Sequence, residues 1–382
     1  MRKQILLIKG KSKYDALRIY IDELAAAFEH EGYSCIVLDG VSIGFEDEFI
    51  ETLQKCSFDF VFTCNGILMS PKVRAMMKTR YCTWIFDHPI HHMERLQQGD
   101  ENTIVLCCDR NNAKYVKEYF PNIKYVDFVP SSGSYCKEIV PYAERKIELV
   151  FTGSNLMADE TLKKIMELPG PLQNISLEMI QNIKDDTSLT LEDSLRIALR
   201  EHRIEVNDQQ FQDILFSTRE VSRYVRAFYR ENVIRTIVEA GIPIHVFGTG
   251  WEQCDFFNRP NFIQCNGYGE TALRAVANAK ISLNVMPWFK DGFQERIASS
   301  MLNGAVALTD SSNYIEENFI DNENIKLYSL SEIDKIPEII QHLLAHIPEA
   351  ERIAQNGYQV AMSKHTYQNR ASKIIQILTE LK

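Results

Sequence analysis

Apolar runs alternate with helical stripes along the first 130 residues. Gln4-Ile5-Leu6-Leu7-Ile8 reads as a strand, and Leu17, Ile21, Leu24 and Phe28 then recur at helical spacing. Ser34 to Leu38, Phe60 to Thr63, Tyr81 to Phe86, Thr103 to Cys108 and Tyr125 to Val129 read as further strands. These runs are continuously apolar and separated by helical segments, which predicts a parallel sheet covered on both faces.

A polar stretch from Ser131 to Arg145 ends this unit, and Ile147 to Phe151 starts a new strand that feeds Gly153-Ser154. From Asp159 to Ala240 the periodicity is helical and highly charged, with no good strand. Strands return at Ile244 to Gly248, Asn261 to Cys265, Ala279 to Val285 and Ala305 to Thr309. Ala371, Ile374, Ile375, Leu378 and Leu381 give the tail one apolar helical face that must dock on something. The pattern predicts an α/β chain of two Rossmann-like domains facing a cleft, with a helical insertion in the second. The expected divisions are 1–145, 146–360 with the insertion at about 157–240, and a C-terminal helix at 361–382 crossing back to the first domain.

The most telling chemistry lies between Asn284 and Asp310, which reads as strand, loop, helix, turn and strand. Pro287, Asp291 and Gly292 break the strand, Phe293, Ile297 and Met301 mark a short helix, and Asn303-Gly304 stops it. A glycine-containing loop entering a helix presents free N–H groups at the positive end of the helix dipole. Arg296, placed on the first turn, can grip two phosphate oxygens at once. That is the chemistry of holding a diphosphate, and it points to a nucleotide-sugar site.

Other loops end strands on the same predicted edge, where ligands bind in open parallel sheets. They supply Gly153 and Ser154, then Gly248 and Trp251, then Asn266, Tyr268 and Gly269. Together with Asn284, Gly292, Phe293, Gln294, Glu295 and Arg296 they form the expected nucleotide-binding set, with Trp251 and Tyr268 as candidates to stack on a base. Glu295 caps its helix, bonds a ribose hydroxyl or faces solvent.

In the first domain, Asp87 and His88 follow a predicted buried strand and project from its carboxyl end. With Arg296 they are the candidate catalytic residues. His88 either orients a hydroxyl or acts as general base, with Asp87 second, or else it fixes a turn. His91 and His92 are adjacent rather than spaced as zinc ligands, so no metal site is expected. Gly10-Lys11-Ser12-Lys13 lacks the spacing of a phosphate loop, and the chain contains no G-x-G-x-x-G.

Hydrophobic residues make up 45% of the 382 and charged residues 25%, an ordinary globular balance. The net charge of −10 disfavours nucleic acid as the main partner. Nine cysteines without a C-x-x-C pair fit free thiols in a reducing cytoplasm. The apolar run at the N-terminus is too short for a signal peptide, and no stretch approaches a transmembrane span, so a soluble cytoplasmic protein is expected. Arg219, Arg223, Arg226, Arg230 and Arg235 lie along the insertion, as a solvated helix face or a protein-docking surface.

The second half resembles the GT-B glycosyltransferases, in particular the CgeB-like, spore-maturation type of bacterial group 1 glycosyl transferases. The resemblance rests on Phe151 to Ser154, Val246 to Trp251, Ile281 to Asn284, and Arg296 to Asp310, with a looser match from Trp84 to Pro89. Asn284, Arg296, Gly304, Thr309 and Asp310 match the family's last motif, while Ala298 and Ser299 stand where it has Phe and Glu. The resemblance implies a hexosyl- or N-acetylhexosaminyltransferase that moves sugar from a nucleoside-diphosphate sugar, a UDP-sugar foremost, to a hydroxyl of a glycan or protein acceptor. It implies donor binding on the second domain, acceptor binding on the first, and a departing diphosphate stabilised without metal or other cofactor. The alternatives are a nucleotide-sugar epimerase of the same fold and a catalytically inactive GT-B scaffold, the latter favoured by Ser299.

Overall fold

A computed structural model of the chain describes residues 3–12 and 15–381. Its contacts divide it into two units, residues 1–134 with 363–382, and residues 135–362.

The first unit is built on six parallel strands: β1 (Gln4–Lys9), β2 (Ser34–Asp39), β3 (Phe60–Cys64), β4 (Arg80–Ile85), β5 (Thr103–Cys107) and β6 (Tyr125–Phe128). They lie in the order β2-β1-β3-β4-β5-β6. Ile5 to Ile8 of β1 are fully buried, as a strand covered on both faces requires. Helices α1 (Ala16–His30), α2 (Phe45–Lys55), α3 (Pro71–Met76), α4 (Met93–Gln97) and α5 (Arg110–Tyr119) alternate with the strands. Phe28 of α1 meets Phe60 and Phe62 edge-on at 5.8 and 6.0 Å, which fixes the helix against the sheet.

The second unit has its own sheet of six parallel strands: β7 (Ile147–Thr152), β8 (Ile244–Phe247), β9 (Phe262–Cys265), β10 (Ala279–Leu283), β11 (Val306–Thr309) and the two-residue β12 (Lys326–Leu327). The order is β12-β11-β10-β7-β8-β9. After β9 the chain returns to pair β10 beside β7, so the order of winding reverses between these two strands. Such a reversal leaves a crevice at the strands' carboxyl ends, the usual ligand site of an open α/β sheet.

Between β7 and β8 run α6 (Ala158–Met166), α7 (Gly170–Asp185), α8 (Leu191–Glu201), α9 (Asp208–Ser217) and α10 (Glu220–Glu239), the helical insertion. Then α11 (Glu270–Ala277), α12 (Glu295–Leu302), α13 (Asn313–Asn318), α14 (Ile336–Ala345) and α15 (Ile347–Lys364) complete the layers. Residues 135–145 pack with this unit, because buried Arg145 donates to the carbonyls of Ala279 and Asn303 at 2.7 and 2.8 Å.

The last helix, α16 (Tyr367–Glu380), belongs to the first unit and packs on α1. Its buried face is Tyr367, Arg370, Ala371, Ile374, Ile377 and Leu378, and a Thr366–Asn369 capping box starts it. Arg80 of β4 donates to the Leu378 carbonyl at 3.2 Å, and Gln368 and Ser372 both donate to Glu31. Among the described residues no helix is long and apolar enough to cross a membrane.

Candidate functional site

The loops after β7 and β8 are fastened to each other. The Gly153 N–H donates to Phe247 O at 2.7 Å, Asn155 N–H to Thr249 O at 3.0 Å, and Thr249 N–H to the Ser154 hydroxyl at 3.2 Å. The approach is so close that a β-carbon on Gly248 would lie 2.6 Å from the carbonyl carbon and oxygen of Gly153. With φ at +137°, position 248 is glycine for both reasons. The sequence reading assigns these glycines to ligand approach, but Gly248 serves loop against loop.

Three consecutive carbonyls of the β7 loop are each taken by a different side chain. Thr152 O accepts from Arg296 Nη1 at 2.6 Å, Gly153 O from Trp251 Nε1 at 2.9 Å, and Ser154 O from Arg230 Nη1 at 3.2 Å. Arg296 comes from α12 after β10, so its side chain spans the reversal between β7 and β10. Arg230 comes from α10 of the insertion.

Arg296 is the second residue of α12, and Gln294 caps the helix through its backbone alone. A guanidinium on the first turn opposes the helix dipole, and an anion at the same end reverses the sign of that interaction. The half-buried Arg296 is therefore placed for an anion at this helix start. Glu295 accepts from the Ser299 hydroxyl at 2.8 Å. Two acceptors on the same segment, Asn284 Oδ1 and Gln294 Oε1, are buried with no hydrogen-bond partner among the described residues. Buried acceptors of that kind call for a donor from water or a ligand.

Behind this segment Asp310 fixes its path. Its carboxylate accepts from Met286 N–H at 2.8 Å, and burial pushes its pKa up to about 6. Asn284 is itself 1% exposed, donates to the Thr309 hydroxyl at 3.0 Å and accepts from Tyr328 OH at 2.7 Å through its carbonyl.

Two of the expected nucleotide-binding residues are core instead. Trp251 is fully buried against Phe151, Phe256 and Phe262, so its ring cannot stack on a base. Its part is to hold Gly153 O. Phe293 is also fully buried, stacked 5.4 Å from Phe319 and tilted against Tyr314 at 5.8 Å, which leaves only its backbone to a ligand. Gly292 is buried, and its carbonyl accepts from Ser312 at 2.6 Å. Asn266 and Tyr268 are exposed, Tyr268 by 57%, on the loop after β9, where Gly269 leads into α11.

In the first unit the loop after β4 carries Asp87 and His88. Asp87 accepts from Asn65 Nδ2 at 3.1 Å, and the same Asn65 accepts from Phe86 N–H at 2.8 Å. His88 Nδ1 accepts from Ile90 N–H at 3.1 Å, the contact of a histidine that fixes its turn. His92 is buried, and burial lowers its pKa to about 4. Among the described residues no group of three His, Cys, Asp or Glu side chains converges as a metal-ligand set. Lys13 of the loop after β1 lies outside the described residues.

Sequence reasoning misses Asn65 and the placement of Arg230. Asn65 stands at φ +57° on a buried site, and the Asn65-Gly66 pair after an apolar run is a signal that finds such a turn. Arg230 carries no comparable signal, since its partner Ser154 lies 76 residues away.

Residues 226–376 match the model of a family described as glycosyl transferase-like. That span begins in α10, contains the loops after β8, β9, β10 and β11 with Arg296, and ends in α16. A search of curated proteins finds no match. Similar solved structures include sucrose-phosphate synthase from Thermosynechococcus elongatus, at 10% identity and a TM-score of 0.56 over 100% of this chain and 99% of that one. HepE of Anabaena, in complex with UDP and glucose, matches at 11% identity and 0.53 over 98% and 99%. An α-glucosyltransferase in complex with UDP and a 13-mer DNA matches at 12% and 0.56 over 98% and 99%. The chain thus has the fold of the GT-B glycosyltransferases, and its residues 226–376 are similar to a glycosyl transferase-like family.

Proposed function

We propose that this chain transfers a sugar from a nucleoside-diphosphate sugar, a UDP-sugar first, to a hydroxyl of a glycan or protein acceptor. The observation that carries this reading is Arg296. It stands on the first turn of α12, anchored to Thr152 O, at the reversal between β7 and β10. The complexes of HepE and of the α-glucosyltransferase with UDP support the choice of nucleotide.

In transfer, the bond from the anomeric carbon to the diphosphate oxygen breaks, and the acceptor oxygen bonds that carbon and loses its proton. Arg296 and the N–H groups at the start of α12 meet the charge that builds on the departing diphosphate, an effect that acts in the transition state more than in the ground state. Asn284 Oδ1 and Gln294 Oε1 supply acceptors for donor hydroxyl or N–H groups. On the first unit His88, with Asp87 second, is the group assigned to orient the acceptor hydroxyl or take its proton. With these groups in place no metal is needed to hold the diphosphate. The nine cysteines are all thiols, which supports a cytoplasmic setting.

The test is thermal stabilisation by UDP, GDP, dTDP and CDP, with UDP-sugars in parallel, on wild type and Arg296→Ala. Binding to the folded state raises the melting temperature by mass action. A rise with UDP that Arg296→Ala abolishes is expected. No rise with any of the nucleotides at millimolar concentration would overturn the transferase reading and favour the inactive scaffold.

A further inference from the structure

The first unit has a second concave surface, away from the loop that carries Asp87 and His88. It lies at the amino ends of β4 and β5, between α3, α4 and the loop after β3, and spans about 440 Å³ including its mouth. Thr79 precedes β4 at this end and Asp87 follows it at the other, with the six residues of that strand, about 20 Å, between them. We infer that this pocket binds the phosphate monoester of a small hydroxylated molecule, as an effector site of the first unit.

The lining decides the ligand. Arg74 and Arg95 both line the pocket. Arg74 is exposed on α3, and its guanidinium has no partner among the described residues. Arg95 uses only Nη1, on Asn65 O at 2.7 Å and His92 Nδ1 at 3.2 Å, so among the described residues Nη2 and Nε have no partner. The Thr79 hydroxyl and the Asn102 amide line the same space and are likewise unbonded there. Two guanidinium forks with two neutral polar groups suit an anion that presents three oxygens, as a phosphate monoester does.

Asp100 adds one carboxylate. Its Oδ1 accepts from Asn102 N–H at 2.9 Å and from the Thr103 hydroxyl at 3.1 Å, while Oδ2 is left to accept from a ligand hydroxyl. Two guanidiniums against that one carboxylate keep the lining positive in a chain of net charge −10. Met69 and Met77 give the carbon skeleton an adaptable apolar wall.

The walls are already fixed. Gln98 pairs with the Met69 backbone in both directions, accepting from its N–H at 3.1 Å and donating to its carbonyl at 3.4 Å. Ile67 N–H donates to Tyr81 OH at 3.0 Å. The loop after β3 is thus tied to both α4 and β4, so little ordering cost falls on the ligand.

Arg95 joins the pocket to the far end of the strands. The Asn65 whose carbonyl it holds donates through Nδ2 to Asp87 at 3.1 Å and accepts from Phe86 N–H at 2.8 Å. A phosphate on Nη2 and Nε favours the guanidinium orientation that bonds Asn65, and so favours the arrangement that holds Asp87. Binding at the pocket stands apart from the transferase reading, whereas its effect on turnover rests on that reading.

Calorimetric titration of glycerol phosphate, inorganic phosphate and glycerol into Arg296→Ala reads the pocket without the diphosphate site. Glycerol phosphate should bind saturably, inorganic phosphate more weakly, and glycerol not at all. Arg74→Ala and Asn102→Asp, added singly, should weaken glycerol phosphate by about tenfold or more, because each removes or opposes a charge-assisted contact. Both positions are exposed, so the melting temperature should not change. With Arg296 intact, glycerol phosphate should raise UDP-sugar hydrolysis by about fivefold. Arg74→Ala should abolish that rise and keep the basal rate. Vesicles of phosphatidylcholine and phosphatidate separate a lipid head group from a free ligand. Sedimentation of the chain with them, lost in Arg74→Ala, would support the same site with a lipid as its source.

Equal affinity for glycerol phosphate in Arg74→Ala and Asn102→Asp, or no binding at millimolar concentration, would overturn the site. Binding that leaves hydrolysis unchanged would overturn its effector role. Binding of glycerol phosphate in a wild-type chain that binds no nucleotide would overturn the transferase reading and leave the pocket standing.

Discussion

Arg296 and Gly153 compete for the same space. The Arg296 Nη1 lies 2.7 Å from where a β-carbon on Gly153 would be, while donating to the carbonyl of the preceding Thr152 at 2.6 Å. The Phe151 ring closes the other side at 2.8 Å. Glycine at 153 is thus a condition for the arginine to bridge from α12 to β7. Gly153→Ala should displace the guanidinium, cost about 1–3 kcal/mol of stability as overpacking does, and weaken nucleotide binding. Urea unfolding and nucleotide titration of the variant check both effects, and unchanged affinity would show that the bridge does not serve the ligand.

For turnover, Arg296→Ala should lower kcat by about 10²–10³, on the order of 2–4 kcal/mol, as loss of other donors to developing negative charge does. Arg296→Lys should recover only part of it. An ammonium cannot hold Thr152 O with one nitrogen and present a planar fork to a diphosphate with the others. Steady-state kinetics with a UDP-sugar and its hydrolysis as readout distinguish the two variants, and wild-type turnover in Arg296→Lys would contradict the need for a planar fork.

Gly248 separates backbone strain from lack of room. Gly248→Ala puts a β-carbon 2.6 Å from backbone atoms of Gly153, which have nowhere to move, and so should destabilise by more than about 2 kcal/mol and abolish nucleotide binding. Gly241→Ala is the control. It has a positive φ of +77° but nothing within 4 Å of the added carbon, so it should cost only the roughly 1 kcal/mol of a left-handed alanine and leave binding intact. Equal costs at the two positions would contradict the loop-against-loop explanation.

Much of this arrangement is legible along the chain. The apolar runs that read as strands are β1 to β11 to within a residue or two, because a strand buried on both faces leaves a continuous apolar signal. Only β12 escapes, since Lys326–Leu327 is too short to show any pattern. The charged helical stretch after β7 is likewise α6 to α10. Arg296 also stands out locally, from a glycine break, a helix start and a basic residue in the first turn.

What the sequence does not reveal is which side chain faces which loop. Trp251 looks like a base-stacking residue because it follows Gly250, yet its ring turns inward onto Phe151, far away in the chain, and Phe262 of the next strand. Arg296 reaches Thr152 across 144 residues and Arg230 reaches Ser154 across 76, separations that no local pattern encodes. Ser299, which departs from the resembling motif, turns out to donate to Glu295, a contact visible only once the helix is built.

His88 gives a prediction about what is not lost. Its Nδ1 is occupied by Ile90 N–H, the contact of a turn-fixing acceptor. Asparagine accepts from the backbone N–H two residues on in the same manner. His88→Asn should therefore keep turnover within about tenfold and leave the acid limb of the pH–rate profile in place. Loss of a general base would instead cost about 10²–10⁴ and remove that limb.

Asp310 and His92 contribute to the pH dependence of stability with opposite sign. Burial raises Asp310 from 3.8 to about 6, so between those values the folded chain holds a proton that the unfolded chain has released. Stability from this group is present at low pH and falls as pH rises through that window. Burial lowers His92 from 6.5 to about 4, so there the unfolded chain holds the extra proton, and stability rises with pH between about 4 and 6.5. Each contribution is on the order of 2–3 kcal/mol. Asp310→Asn retains an acceptor for Met286 N–H, and relative to wild type it should gain stability as pH rises from 4 to 6. His92→Gln should lose stability relative to wild type over nearly the same range. Urea midpoints measured at half-unit steps give both difference curves. Opposite slopes follow from two buried groups of opposite charge type, whereas parallel curves would mean that at least one of the two carries its charge without penalty.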